Sequence, residues 1–131
     1  MKTSDSKFLR KTLGKYSTGV TVVTSIDNDG NPIGMTVNSF TSVSLQPALV
    51  LWCIDKKQPS YNSFMNAEGY AVNILSKAQK DLCDLFSSPI DNKFSDIDYT
   101  LSDNGFPIIQ KSLAWFDCLK WNNLSLIHIS E

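Results

Sequence analysis

The fold is decided by the stretch Gly34-Met35-Thr36-Val37-Asn38-Ser39-Phe40-Thr41-Ser42-Val43-Ser44-Leu45-Gln46-Pro47. It begins as a strand with β-branched Thr36 and Val37, and then loses its alternation in a segment rich in hydroxyl and amide side chains. The following residues 48–54 are continuously apolar and of strand length, which predicts a strand buried on both faces. Small hydroxyl groups beside such a strand can line a site for a polar, planar ligand, because they form hydrogen bonds with little bulk. An ordinary Ser/Thr-rich loop is the alternative interpretation.

The flanking segments predict a mainly β protein with short helices. An amphipathic pattern over residues 6–16 indicates a helix, and the turn-rich residues 27–31 separate two strand patterns that should form an antiparallel hairpin. Further strands are predicted over residues 70–75 and 113–121. Pro59 and Ser60 open a helix that runs to Ala67, and a second helical pattern extends from Ala78 to Phe86. Between residues 87 and 105 nothing regular is predicted, and this segment could line or cover a site.

Composition excludes several classes of function. The 131 residues carry a net charge of −1 and contain 42% hydrophobic and 19% charged residues, which is typical of one globular domain. Without a basic run there is no electrostatic case for nucleic acid, and no apolar segment reaches the length of a membrane span. The N-terminus lacks the apolar core of a signal peptide, so a cytoplasmic location is expected.

The cysteines and the histidine do not have the spacing of a metal site. Cys53, Cys83 and Cys118 are far apart in sequence, and His128 is the one histidine. We interpret the cysteines as reduced thiols that pack as small hydrophobic side chains, and no bound metal is predicted.

A second polar cluster precedes the predicted helix at Ser60. Lys56 and Lys57 stand just before Pro59 and Ser60. Unpaired N–H groups at a helix start, together with lysine charge, form a good site for an anion such as a phosphate. A solvated lysine pair on a turn is the alternative interpretation.

The order of these residues resembles the flavin reductase-like family of FMN-binding split barrels. The stretch quoted first carries the resemblance, and residues 8–24, 69–75 and 113–118 extend it in the same order. It implies an antiparallel, Greek-key type split β-barrel that binds FMN or FAD and takes hydride from NAD(P)H. It also implies a homodimer that supplies reduced flavin to a partner monooxygenase. The alternatives are a non-enzymatic flavin-binding or electron-carrier module, or an inactive fragment of the reductase.

The resemblance also implies a set of flavin-binding residues. Those expected around the ring and the adjoining loop are Met35, Thr36, Val37, Asn38, Ser39, Leu51, Cys53 and Phe64. Those expected at the ribityl chain or the phosphate are Ser42, Val43, Ser44, Lys56 and Ser60. No residue stands out as an acid or a base, so no catalytic residue is assigned. That absence suits a flavin enzyme, in which the ring itself accepts the hydride.

The end of the chain departs from the family pattern. Chains of this type continue past the Ala-Trp-Phe-Asp-Cys strand to a Gly-Asp-His segment and further strands, whereas here residues 124–131 follow, and His128 does not match the family's histidine. These eight residues resemble the translated product of a transposon-derived sequencing adaptor. We therefore expect a truncated domain over residues 1–123 and a non-native tail over residues 124–131. A genuine short terminal strand is the alternative.

Overall fold

The computed structural model describes residues 20–37, 41–45, 48–52, 54, 56–88 and 93–119. Within them the strands are β1 (Val20–Ile26), β2 (Pro32–Val37), β3 (Thr41–Leu45), β4 (Ala48–Leu51), β5 (Gly69–Leu75), β6 (Tyr99–Leu101), β7 (Pro107–Ile109) and β8 (Ala114–Leu119). The α-helices are α1 (Tyr61–Asn66) and α2 (Lys80–Ser87), and a 3-10 turn, Lys77–Gln79, directly precedes α2. The helix predicted over residues 6–16 and the tail predicted over residues 124–131 lie outside the described residues.

Four antiparallel strands form the central sheet, in the order β2-β1-β5-β8. The predicted β1–β2 hairpin is confirmed, with Thr21 opposite Val37 and Ile26 opposite Pro32. Its turn is closed by Asp27, whose Oδ1 accepts hydrogen bonds from the backbone N–H groups of Asp29 and Asn31, both at 2.9 Å. Gly30 has a φ of 82° in this turn, a conformation that glycine adopts without steric cost. The hairpin is therefore specified by its own local sequence.

Each face of the central sheet packs against a different layer. One face, which we call the α1 face, carries Val23, Val72 and Phe116 and packs against Trp52, Ile54 and α1. The opposite face, the α2 face, carries Val22, Ala71 and Leu75 and packs against α2 and the β6–β7 hairpin. Because successive strand residues point to opposite faces, β5 contributes to both layers and is buried along its whole length.

Two other segments differ from the sequence prediction. Residues 41–45, interpreted as part of a hydroxyl-rich loop, form strand β3, which pairs antiparallel with β4. Residues 99–101, where no regular structure was predicted, form strand β6, which pairs with β7. Both segments are short and lack a clear alternation of apolar and polar residues, so their strand conformation becomes evident only from pairing with β4 and β7. The strand predicted over residues 48–54 ends at Leu51, although Trp52 and Ile54 are buried as expected.

Buried polar side chains attach β7 to the sheet. The Asn73 amide nitrogen donates to the carbonyl of Val22 (3.1 Å) and to Thr24 Oγ1 (3.0 Å), and Asn73 Oδ1 accepts from the backbone N–H of Ile109 (2.9 Å). Thr24 Oγ1 in turn donates to the Pro107 carbonyl at 2.6 Å. Asn73 and Thr24 are fully buried, so these bonds form where water cannot replace them.

Among the helices in the described part of the chain, none is long and apolar enough to cross a lipid bilayer.

Replacing Asn73 with alanine should lower the free energy of unfolding by about 2–4 kcal/mol. The change removes three hydrogen bonds and leaves the Ile109 N–H and the Val22 carbonyl buried without this partner. Urea unfolding followed by tryptophan fluorescence measures the loss. Asn28→Ala, at an exposed turn position, is the matched control and should change stability by less than about 0.5 kcal/mol. Equal losses in the two variants would contradict a central role for Asn73.

Candidate functional site

The end of β2 carries the first three predicted site residues, and their side chains divide between the two faces of the sheet. Val37 is buried in the cluster on the α1 face, and the half-buried Met35 packs against the same cluster. Phe64 of α1 belongs to this cluster too, with 3% of its surface exposed. The structure thus brings Met35, Val37 and Phe64 together on the α1 face, where Val37 and Phe64 are part of the buried core and Met35 is half-buried.

Thr36 points the other way, toward the α2 face. Its Oγ1 donates a hydrogen bond to the Cys83 carbonyl of α2 at 2.8 Å. Two residues earlier, Gly34 lies so close to α2 that an added Cβ would stand 2.6 Å from Cε1 of Phe86. The strand segment that carries the candidate residues is therefore in direct contact with α2.

The β3–β4 hairpin contains the next four predicted residues, Ser42, Val43, Ser44 and Leu51. Ser42 is opposite Val50, Ser44 is opposite Leu49, and the register shifts between them, so Val43 is the extra residue of a β-bulge. Leu51 is opposite Thr41 at the far end of the hairpin. A bulge leaves one residue outside the regular ladder and frees its backbone groups for another partner. The predicted site residues of β3 thus coincide with an irregularity in strand pairing.

Lys56 and Ser60 lie on the turn that leads into α1. Lys56 is exposed, and Ser60, at the N-cap position, is half-buried and makes no capping hydrogen bond with its side chain. The first helical backbone bond runs from the N–H of Phe64 to the carbonyl of Ser60 at 3.0 Å. No acidic residue lies in the first turn of α1. Because α1 has only six residues, its dipole is weak, and Lys56 and Lys57 would supply most of the positive potential here.

The remaining predicted site residues, Asn38, Ser39 and Cys53, lie outside the described residues. The structure therefore places Met35, Val37 and Phe64 in one layer, and Lys56 and Ser60 on the turn before the helix that carries Phe64. Contact of any of the thirteen residues with a flavin stays a prediction.

Aromatic rings fill the centre of the α1 face. Trp52 packs edge-on against Phe64 (5.2 Å between ring centroids) and against Tyr70 (5.5 Å). The buried indole N–H of Trp52 has no hydrogen-bond partner within the described part of the chain. Edge-to-face packing of three large rings makes this layer rigid, because each ring limits the rotation of the next.

Cys118 and Tyr70 are buried in the same layer as neutral groups. Burial, and in smaller measure the neighbouring Asp117 carboxylate, raises the pKa of the Cys118 thiol to about 12. Burial likewise raises the pKa of Tyr70 above its ordinary value, and Cys118 adds to this effect. A thiol that holds its proton at neutral pH is a poor nucleophile, so Cys118 acts as a packing residue, as the sequence predicts.

One polar group was missed by the sequence interpretation. The Asp117 carboxylate, buried on β8, accepts hydrogen bonds from Ser102 Oγ (2.8 Å) and from the backbone N–H and side-chain amide of Asn104 (3.2 and 3.0 Å). These bonds fix the turn between β6 and β7, where Gly105 has a φ of 90°. The Ser102-Asp103-Asn104-Gly105 sequence is a turn signal that could have revealed the hairpin.

An open cleft of about 360 Å³ lies beside the β6–β7 hairpin, and its lining includes Thr100, Gln110 and Trp115.

Comparison with known proteins identifies the family. The family model described as "Flavin reductase like domain" matches residues 13–126. The chain belongs to this family. The resemblance drawn from the sequence alone is thereby confirmed.

Relatives in this flavin reductase family share much of the chain's sequence. A protein of Rhizobium meliloti named "Probable flavin reductase" is 46% identical over 114 residues, which are 87% of this chain and 37% of that protein. The reductase component of the flavin-dependent trigonelline monooxygenase of Acinetobacter baylyi is 46% identical over 110 residues, 84% of this chain and 36% of the relative. The chain therefore spans little more than a third of the length of these two curated relatives.

A solved structure supports the same fold. The NADH:FAD oxidoreductase of Streptomyces globisporus C-1027, solved in complex with NAD and FAD fragments, matches with a TM-score of 0.73 and 31% identity. The match covers 86% of this chain and 70% of that chain. The predicted fold class, a mainly antiparallel β split barrel with short helices, is confirmed.

Metal ligands form no cluster within the described ranges, since no three His, Cys, Asp or Glu side chains there stand close enough to hold an ion.

The free energy of unfolding should fall as the pH rises above about 9. The unfolded chain releases the Cys118 proton at its ordinary pKa of 9.0, whereas the folded chain retains it up to about 12. In this window the unfolded state binds fewer protons, so each pH unit lowers stability by at most about 1.4 kcal/mol for this one group. Urea unfolding at pH 7, 9 and 10 measures the slope.

Cys118→Ala is the control for this pH dependence. The variant should be less stable at every pH because it leaves a cavity, but its stability should fall less between pH 9 and pH 10 than that of the wild type. Above pH 10, the ordinary pKa of tyrosine, Tyr70 contributes in both proteins. Identical slopes between pH 9 and 10 would show that the Cys118 thiol does not carry the effect.

Proposed function

We propose that this chain is the flavin-binding part of an NAD(P)H-dependent flavin reductase that supplies reduced flavin to a monooxygenase. The observation that carries the proposal is the family match over residues 13–126, combined with the meeting of Met35, Val37 and Phe64 on one face of the sheet. Relatives named as a flavin reductase and as a monooxygenase reductase component support both halves of the proposal. FMN and FAD are both candidate flavins, and NADH and NADPH are both candidate donors.

The described residues fit a flavin in two respects. The half-buried Met35, backed by the rigid aromatic layer around Trp52, offers an apolar surface of the kind that a planar ring requires. Donors suited to a ribityl chain and a phosphate are available at three places. They are the backbone at the Val43 bulge, the Lys56 ammonium, and the Ser60 hydroxyl, which makes no capping hydrogen bond with α1.

In this proposal the protein binds and orients, and it performs no proton chemistry of its own. Hydride acceptance would come from the isoalloxazine ring when flavin is bound. The half-buried Met35 would contact one side of the ring, and the buried Val37, Phe64 and Trp52 would support it from behind and exclude water from that side. Ser42, Val43 and Ser44 at the bulge would bind the ribityl chain or the phosphate, and Lys56 and Ser60 would bind the phosphate.

A single mixture tests the activity. Purified protein is combined with NADH or NADPH and a catalytic amount of FMN or FAD, and the nicotinamide absorbance band is followed. We expect flavin-dependent oxidation of the nicotinamide. Bound flavin without oxidation would overturn the reductase activity and leave a flavin-binding module, and a folded protein that binds neither flavin would overturn the whole proposal.

Replacing Lys56 with glutamine should raise the Kd for FMN by roughly tenfold and leave the Kd for riboflavin unchanged. Riboflavin lacks the phosphate, so the difference isolates the charge-assisted contact that Lys56 would make. Flavin fluorescence quenching measures both constants. Lys80→Gln, at an exposed lysine that begins α2, is the matched control and should alter neither. An equal loss of affinity for both flavins in Lys56→Gln would argue against a phosphate contact.

A homodimeric assembly in the cytoplasm is part of the same proposal. The free thiols at Cys83 and Cys118 are typical of a reducing compartment and support the location. For the assembly, the support is the resemblance to the family. Sedimentation of the purified chain with and without FMN would measure the assembly directly, and a monomer in both conditions would argue against the homodimer.

A further inference from the structure

Helix α2 contacts the site-bearing strand at two successive positions of the same face. At Gly34 the backbone approaches the Phe86 ring so closely that no side chain fits between them. At Thr36 the hydroxyl donates to the Cys83 carbonyl at 2.8 Å. The partners are 47 residues apart in sequence, so the contact is a tertiary one and is not part of local folding.

We propose that Thr36 is a positioning residue of the flavin site, one that acts through α2 and not by touching the ring. The inference deepens the proposed function and rests on it. Met35 and Val37 point to the α1 face, where Phe64 lies, whereas Thr36 points to the α2 face. A side chain on the α2 face cannot also contact a ring held by its two neighbours on the α1 face, because adjacent strand residues point to opposite sides.

The position of β2 explains why such a tie is needed. In the order β2-β1-β5-β8, β2 is an outer strand and is held within the described residues by β1 on one side. An outer strand has fewer constraints than an inner one, and its last residues are free to fray. The Thr36 bond lies near the end of the strand, where Thr36 is opposite Val22. It therefore restrains the segment that presents Met35 and Val37.

Helix α2 is a firm anchor for this bond. Its Phe86 is buried against Val22, Leu75 and Ile109, and the Phe86 ring stacks edge-on against Phe94 at 5.1 Å. The Cys83 carbonyl also accepts a hydrogen bond from Ser87 Oγ at 2.9 Å, within α2 itself. The Cys83 carbonyl thus accepts hydrogen bonds from two hydroxyl groups. The bond from Ser87 lies within α2, whereas the bond from Thr36 connects α2 to the strand that carries the candidate site.

The test compares three variants for flavin affinity and for amide hydrogen exchange at the end of β2. Thr36→Val removes the hydroxyl at nearly constant shape, Thr36→Ser keeps it, and Ser87→Ala removes the other hydroxyl on the same carbonyl. We expect Thr36→Val to raise the Kd for FMN by about three- to tenfold, the range expected for one hydrogen bond. Amide hydrogen exchange at residues 35–37, the end of β2, should become faster in the same variant. Thr36→Ser should restore both, and Ser87→Ala should leave the Kd unchanged.

The outcomes distinguish a positioning role for Thr36 from direct contact with the flavin and from a purely structural role. With saturating flavin, kcat should be the same in Thr36→Val and wild type, because only the affinity is altered. A raised Kd without faster exchange at the end of β2 would indicate direct contact with the flavin and overturn the inference. Faster exchange with an unchanged Kd would indicate a purely structural bond and overturn it as well. A wild-type protein that binds no FMN would overturn the proposed function itself, and with it the inference.

Discussion

The side-chain amide of Asn73 is the constraint on which the rest of the structure depends. It lies on β5, an inner strand of the sheet, and is fully buried, so its donors and its acceptor must find partners inside the protein. The partners are on β1 and on β7, which therefore have only one relative position that satisfies the amide. Apolar contacts alone would let the β6–β7 hairpin slide over the sheet. Directional bonds prevent this, and Thr24 strengthens the effect by binding Pro107.

With the β6–β7 hairpin fixed, the two faces of the central sheet differ in what covers them. The α2 face is closed by packed aromatic rings and by the hairpin. The α1 face is covered by a short helix and by the residues that follow β4, and it is there that Met35, Val37 and Phe64 meet. The strand that carries the candidate residues belongs to both environments, because its alternate side chains reach both faces. Contacts on the α2 face, such as the Thr36 bond to α2, can thus influence the position of the candidate residues on the α1 face.

The features that could be predicted from the sequence are those with local causes. The β1–β2 hairpin follows from the Asp27-to-Gly30 turn between two β-branched strands, and the helix after Ser60 follows from its start signal. Strands β3 and β6 were missed because their stability comes from pairing with β4 and β7 and, for β6, from the distant Asp117. The candidate site residues came from the resemblance to a family. The partner of Thr36 could not be predicted, since Cys83 shows no periodicity or motif that links it to β2.

The absence of an assigned acid or base follows from the chemistry proposed for this fold. When a cofactor supplies the reactive centre, the protein's contribution to rate is the position and surroundings of that cofactor, and proton transfer by a side chain is not required. Many weak interactions together position a cofactor, so no single side chain has to be indispensable. The structural residues behind such a site then matter as much as those that touch the ligand. In this chain the apolar layer behind Met35 and the hydrogen bond from Thr36 to α2 are constraints of this kind. Their partners, Trp52 and Phe64 for the layer and Cys83 for the hydrogen bond, lie outside the hydroxyl-rich residues 34–47.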